Sequence, residues 1–118
     1  MQILKILSST IDKGRLEHMM RSIEKVYDYT DGLDYESFST DSLRLYATMN
    51  NVQIIGEAVC KLTNEFKQSH PNTNWRVIEK MRHILVHDYY QIDTEILWKV
   101  IKIDLPELEK QLNEYINE

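Results

Sequence analysis

Residues 82–90 read RHILVHDYY and bring Arg82, His83, His87, Tyr89 and Tyr90 within nine positions, just after Arg76, Glu79 and Lys80. Histidine can move protons near neutral pH because its ordinary pKa is ~6.5. Arginine is permanently charged and offers a fixed fork of donors, which suits a phosphate whose charge builds as it reacts. Neighbouring cations and aromatic faces suit the positioning of a nucleic-acid strand. RNA carries its own nucleophile, the 2′-OH. A protein that cleaves it without metal therefore needs only a proton carrier, a cation for the phosphorane and a means of holding the strand. Arg82 and His87 match the first two needs, with Arg76, Lys80 and His83 as auxiliary groups and Tyr89 as an aromatic neighbour.

Two other readings stand beside this one. Glu79, His83 and His87 recur every four residues, which places them on one helical face and would allow a divalent cation. The helical metalloprotease motif, however, puts Glu directly after its first His, whereas Ile84 follows His83 here, so no metal is expected. The other reading is purely structural: Val77, Ile78, Met81, Ile84 and Leu85 form a core stripe, and the polar residues edge it. Geometry constrains all three readings. Arg82 and His87 are five residues apart, which an ideal helix separates by about 140°, while Tyr89 returns to within about 20° of Arg82. A deformed helix, a wrapped arginine side chain or a second copy of the chain would be needed to join Arg82 and His87.

The elements that must position this cluster are helical. Three glycines and two prolines in 118 residues are few for a turn-rich sheet protein. Residues 12–30 carry Leu16, Met19, Met20, Ile23, Val26 and Tyr27 as one apolar stripe, stopped by Gly32. Residues 33–39 read as a connector with a short helical turn. Residues 41–67 predict a long helix, with Leu45, Met49, Val52, Ile55, Val59, Leu62 and Phe66 at spacings of three and four. Gly56 interrupts that seam and is expected to admit a close neighbour. A loop at 68–74 precedes a third helix over 75–89, anchored by Trp75. Asp93 is suited to cap a short helix carrying Ile96, Leu97 and Val100. Asp104 and Glu107 have capping-box spacing for a last helix, with Pro106 in its first turn. The expected architecture is all-α: one domain over residues 1–118, an antiparallel four-helix bundle with an extra short helix.

Composition narrows the function. The net charge of −5 argues against a general nucleic-acid coat, but residues 76–87 form a basic island, with Arg76, Lys80 and Arg82 against Glu79 alone. Cys60 is the single cysteine, so neither an intrachain disulfide nor a cysteine-rich zinc site can form, and it reads as a small buried hydrophobe. Glu57, on the long helix expected to pack beside the third, could orient a residue of the cluster, but a solvated helical glutamate is the favoured reading; His18 and His70 read as surface residues. No apolar run reaches the ~20 residues of a membrane span. The opening MQILKILSST is too short for a signal peptide, so a cytoplasmic location is expected.

Arg82-x4-His87-x-Tyr89 resembles the R-x4-H-x-Y signature of the HepT-like family of the HEPN superfamily. Four blocks in order support the resemblance: RLEHMMRSIEKVYDYTDGLDYESF at 15–38, NNVQIIGEAVCKL at 50–62, NWRVIEKMRHILVHDYYQID at 74–93 and DLPELEKQL at 104–112. Residues 1–11 fall outside it and are set apart as an N-terminal extension. The resemblance implies a homodimeric, HEPN-like helical bundle and a metal-independent endoribonuclease without cofactor, with the motif arginine and histidine in a cleft at the dimer interface. Carried over, Arg82 would stabilise the transition-state phosphate and His87 would act as general acid or base. His83 departs from the asparagine that often follows the motif arginine. The resemblance also implies a toxin of the type VII, HepT/MntA-like toxin–antitoxin class. Its partner would be a minimal nucleotidyltransferase of the MntA type that attaches AMP to Tyr89, with Tyr90 as the neighbouring candidate. A different class remains open, a non-catalytic helical module that docks on the nucleotidyltransferase.

Overall fold

The computed structural model describes residues 2–84 and 93–118. Secondary structure is helical throughout, and no strand occurs among the described residues. Helix α1 spans Gln2–Thr30, starting well before the expected residue 12, since neither proline nor glycine occurs before Gly14. Leu16, Met19, Ile23 and Val26 are buried on it, flanked by the half-buried Met20 and Tyr27. Gly32 takes φ +73°, the left-handed conformation that ends helices. Helix α2 covers Tyr35–Thr40, the short turn expected in the connector. The Asp34 carboxylate accepts from the Ser37 N–H at 2.8 Å to cap it, and that bond holds the carboxyl below its ordinary range.

Helix α3 covers Ser42–Lys61, capped by Asp41, and packs along α1. Leu45, Val52, Ile55 and Val59 are buried on it, as their spacing predicts. The expected run to residue 67 is corrected. Leu62 and Thr63 turn extended, at ψ 144° and 150°, and helix α4 resumes over Asn64–Ser69. The reason is a remote side chain. Buried Asp12 of α1 accepts the Thr63 N–H at 2.9 Å and the Thr63 hydroxyl at 2.6 Å, while Thr63 Oγ1 accepts the Phe66 N–H at 3.1 Å. A helix start is satisfied here by two residues 51 positions apart.

The third helix is also divided within its described part. Helix α5 covers Trp75–Glu79 and helix α6 covers Met81–Ile84, joined at Lys80. The His83 N–H reaches the Lys80 carbonyl at 2.9 Å, a tightened three-residue spacing. Trp75, Ile78 and Met81 are buried, whereas Val77 is 46% exposed and does not belong to the core stripe expected for it. Helix α7 covers Thr94–Lys99, with Asp93 capping it as expected through the Ile96 N–H at 3.1 Å. It runs without a stop through a π-helical turn at Val100–Asp104 into helix α8, Leu105–Ile116. The expected capping box at Asp104 is therefore absent. Asp104 keeps helical dihedrals and makes no side-chain cap bond, because the chain arrives already helical and leaves no free N-terminus. Leu105, Leu108 and Leu112 close the core against α1. The result is the expected all-α bundle, with α1, α3, the α5–α6 pair and α7–α8 as its main members.

Candidate functional site

Gly56 determines where Arg82 sits. A Cβ built on Gly56 would lie 2.7 Å from the Arg82 backbone nitrogen, 3.0 Å from the Arg82 Cβ and 3.2 Å from the Glu79 carbonyl oxygen. Only a residue without a side chain lets α6 approach α3 this closely. Mid-helix glycine costs ~1 kcal/mol relative to alanine, which the packing of α5 and α6 on α3 offsets. The close neighbour expected from sequence is thus the backbone of the motif arginine itself.

The Arg82 guanidinium is partly buried, with 30% of its side chain exposed, and each of its nitrogens faces a different partner. Nε donates to His83 Nε2 at 2.9 Å. Nη1 lies 3.8 Å from Glu57 Oε1 on α3, and Nη2 lies 3.9 Å from Glu79 Oε1 on α5. The carboxylate distances exceed hydrogen-bond length, so both pairings are loose. In the Nε bond His83 accepts through Nε2. Behind Glu79, the Cys60 thiol donates to the same Oε1 at 3.3 Å. Burial, then the Glu79 carboxylate, pushes this thiol above its ordinary range and keeps it a protonated donor.

Arg76, Glu79, Lys80, Arg82 and His83 line one shallow, open cleft. The structure thus brings together four of the residues singled out in the sequence, Arg76, Lys80, Arg82 and His83. His87, Tyr89 and Tyr90 lie outside the described residues, and with them the Glu79–His83–His87 set, the Arg82–His87 gap and the expected burial of Leu85. Sequence reasoning favours a solvated Glu57 over an orienting one, and it misses Cys60 as a neighbour of the site. Glu57 is exposed yet faces Arg82, and Cys60 is half-buried and hydrogen-bonded rather than an inert hydrophobe. The available signal was the spacing Gly56-Glu57-x2-Cys60, which sets the contact point and the side chains that meet Arg82 and Glu79 on neighbouring turns of one helix.

His70 is a further correction. It is not a solvated surface residue: its ring stacks on Phe66 at 4.0 Å, meets the edge of Tyr115, and bonds Glu118 through Nε2 at 2.8 Å. Trp75 is the packing anchor expected, donating its indole N–H to the His70 carbonyl at 3.0 Å. His18 is exposed, as expected.

An all-α bundle that presents a half-buried arginine in a basic cleft is the class of the HEPN-type helical proteins. The profile of the family described as "Ribonuclease HepT-like" matches residues 19–115, and the chain belongs to that family. The chain is 36% identical over 96 residues to the "Probable ribonuclease HepT" of Thermococcus cleftensis, covering 81% of this chain and 87% of that protein. It is 34% identical over 100 residues to a candidate RNase of Methanocaldococcus jannaschii, covering 85% and 92%. A candidate RNase of Caldanaerobacter subterraneus subsp. tengcongensis is 36% identical over 101 residues, covering 86% and 90%. No solved structure matches the chain. Among the described residues, no helix is long and apolar enough to cross a membrane.

Proposed function

We propose that the chain is a metal-independent endoribonuclease and the toxin of a type VII, HepT/MntA-like toxin–antitoxin pair. Membership of the HepT-like ribonuclease family supports RNA as substrate. The observation that carries the chemistry is the partly exposed Arg82 guanidinium in a cleft shared with Arg76, Lys80 and His83. In this reading Arg76 and Lys80 attract the strand's phosphates, and the RNA 2′-OH attacks the adjacent phosphorus. Arg82 neutralises the charge that builds on the phosphorane oxygens. His87 transfers the proton, either from the 2′-OH or to the departing 5′ oxygen. A homodimer supplies two such arginine–histidine sets to one interface, which answers the five-residue gap. A minimal nucleotidyltransferase of the MntA type is the partner. It attaches AMP to Tyr89, and the added anion repels phosphate from the cleft.

Expression alone tests this reading. The wild-type chain is expected to arrest growth, and Arg82→Ala and His87→Ala to remove the arrest. Co-expression with the nucleotidyltransferase is expected to restore growth and raise the intact mass by whole AMP units, with Tyr89→Phe blocking the gain. Harmless wild-type expression, indistinguishable from both variants, contradicts the toxin. Unchanged labelling of Tyr89→Phe moves the modification elsewhere, Tyr90 first.

A further inference from the structure

Arginine enters a reaction usefully only if its fork is aimed before the substrate arrives. Its side chain carries about 2 kcal/mol of rotamer entropy, and a free surface arginine spends little time in any one orientation. Arg82 differs on two counts. Its backbone is seated against Gly56, and its Nη1 and Nη2 atoms face Glu57 and Glu79 from two helices. We propose that Glu57 and Glu79 are positioning residues for Arg82, and that Cys60 fixes Glu79 in that role. The proposal rests on the ribonuclease reading and names the groups on which its transition-state cation depends.

The distances make such a cage workable. At 3.8 and 3.9 Å the carboxylates attract the guanidinium without capturing its N–H groups in short hydrogen bonds. Short bidentate pairs would hold the same donors that a phosphate needs. A loose cage leaves them available, and an incoming phosphate oxygen displaces the carboxylates at small cost. Helix α3 supplies the frame: Gly56 admits the arginine backbone, Glu57 faces the guanidinium directly, and Cys60, one turn on, reaches Glu79 at 3.3 Å. Both carboxylates also repel an RNA phosphate. A role in positioning and a role in simple repulsion therefore predict opposite kinetics.

The test uses the full chain with Glu57→Gln and Glu79→Gln, which keep side-chain shape and remove charge. Positioning predicts that kcat for RNA cleavage falls roughly 10- to 100-fold in the double variant while KM stays level or drops. In an Arg82→Lys background, whose ammonium lacks the fork, the same two changes are expected to cause no further loss. An unchanged or increased kcat, or a loss that simply adds to that of Arg82→Lys, overturns the proposal. Glu57 is exposed, so its variant folds even if Glu79→Gln does not. A second readout does not depend on catalysis: the rate at which an aromatic disulfide reagent modifies Cys60. Removing the neighbouring carboxylate eases thiolate formation, so Glu79→Gln is expected to speed modification roughly threefold or more. An unchanged rate removes Cys60 from the cage. If the wild type cleaves no RNA, the ribonuclease reading fails, and the thiol rate still decides whether the Cys60–Glu79 contact exists.

Discussion

At Arg82 a permanent charge is set between carboxylates at 3.8 and 3.9 Å, with His83 held on Nε. The side-chain types at Arg76, Lys80, Arg82 and His83 were legible in the sequence because charge and spacing are local properties. For Glu57 the sequence raised a place beside the cluster without deciding it, and Cys60 was not legible, since a lone cysteine gains such a neighbour only when a second helix arrives beside it. Tyr27 is a similar case away from the cleft. Burial, then the nearby negative Glu109 carboxylate, push its pKa up to about 12. The unfolded chain releases that proton near ~10. With the folded pKa above the unfolded one, the contribution of Tyr27 to stability is intact below about pH 10 and is lost as pH rises through about 12. Urea unfolding at about pH 9 and about pH 11 is expected to show a smaller alkaline loss in Tyr27→Phe than in the wild type. Equal losses in the two proteins contradict this assignment.

Among the elements, the long periodic stripes of α1 and α3 were legible because burial follows the 3.6-residue repeat. The breaks were not. The turn at Leu62–Thr63 is imposed by Asp12, far away in sequence. The continuous passage from α7 into α8 hides behind a capping-box pattern that the chain does not use. Asp12→Ala removes the acceptor for both Thr63 donors and is expected to destabilise the fold by ~1–3 kcal/mol, read as a lower urea midpoint at unchanged slope. A midpoint equal to wild type contradicts the capping role. Gly56→Ala tests the other joint. Its added methyl meets the Arg82 backbone nitrogen and Cβ and the Glu79 carbonyl oxygen rather than a flexible tip, so α5 and α6 must move away. A stability loss of ~1–3 kcal/mol is expected together with loss of cleavage. A stable variant with full cleavage contradicts the view that this contact seats Arg82.

For the whole molecule, an acidic chain of net charge −5 concentrates its relevant cations in one open cleft beside the motif arginine. That contrast favours local capture of phosphate over general coating of nucleic acid. The all-α class was legible from the few glycines and prolines and from four ordered sequence blocks, and the family match over residues 19–115 agrees with it. Whether and how Arg82 meets His87 was not legible in the sequence, because five residues of ideal helix point the two side chains apart. The central claim is that this cleft cuts RNA by arginine–histidine chemistry. Its most direct measurement is cleavage of total RNA by the purified full chain in EDTA, comparing wild type with Arg82→Ala and His87→Ala. The account predicts metal-independent cleavage by the wild type and a loss of at least about 100-fold in each variant. Cleavage that disappears in EDTA and returns with added metal, or variants as active as the wild type, would contradict it.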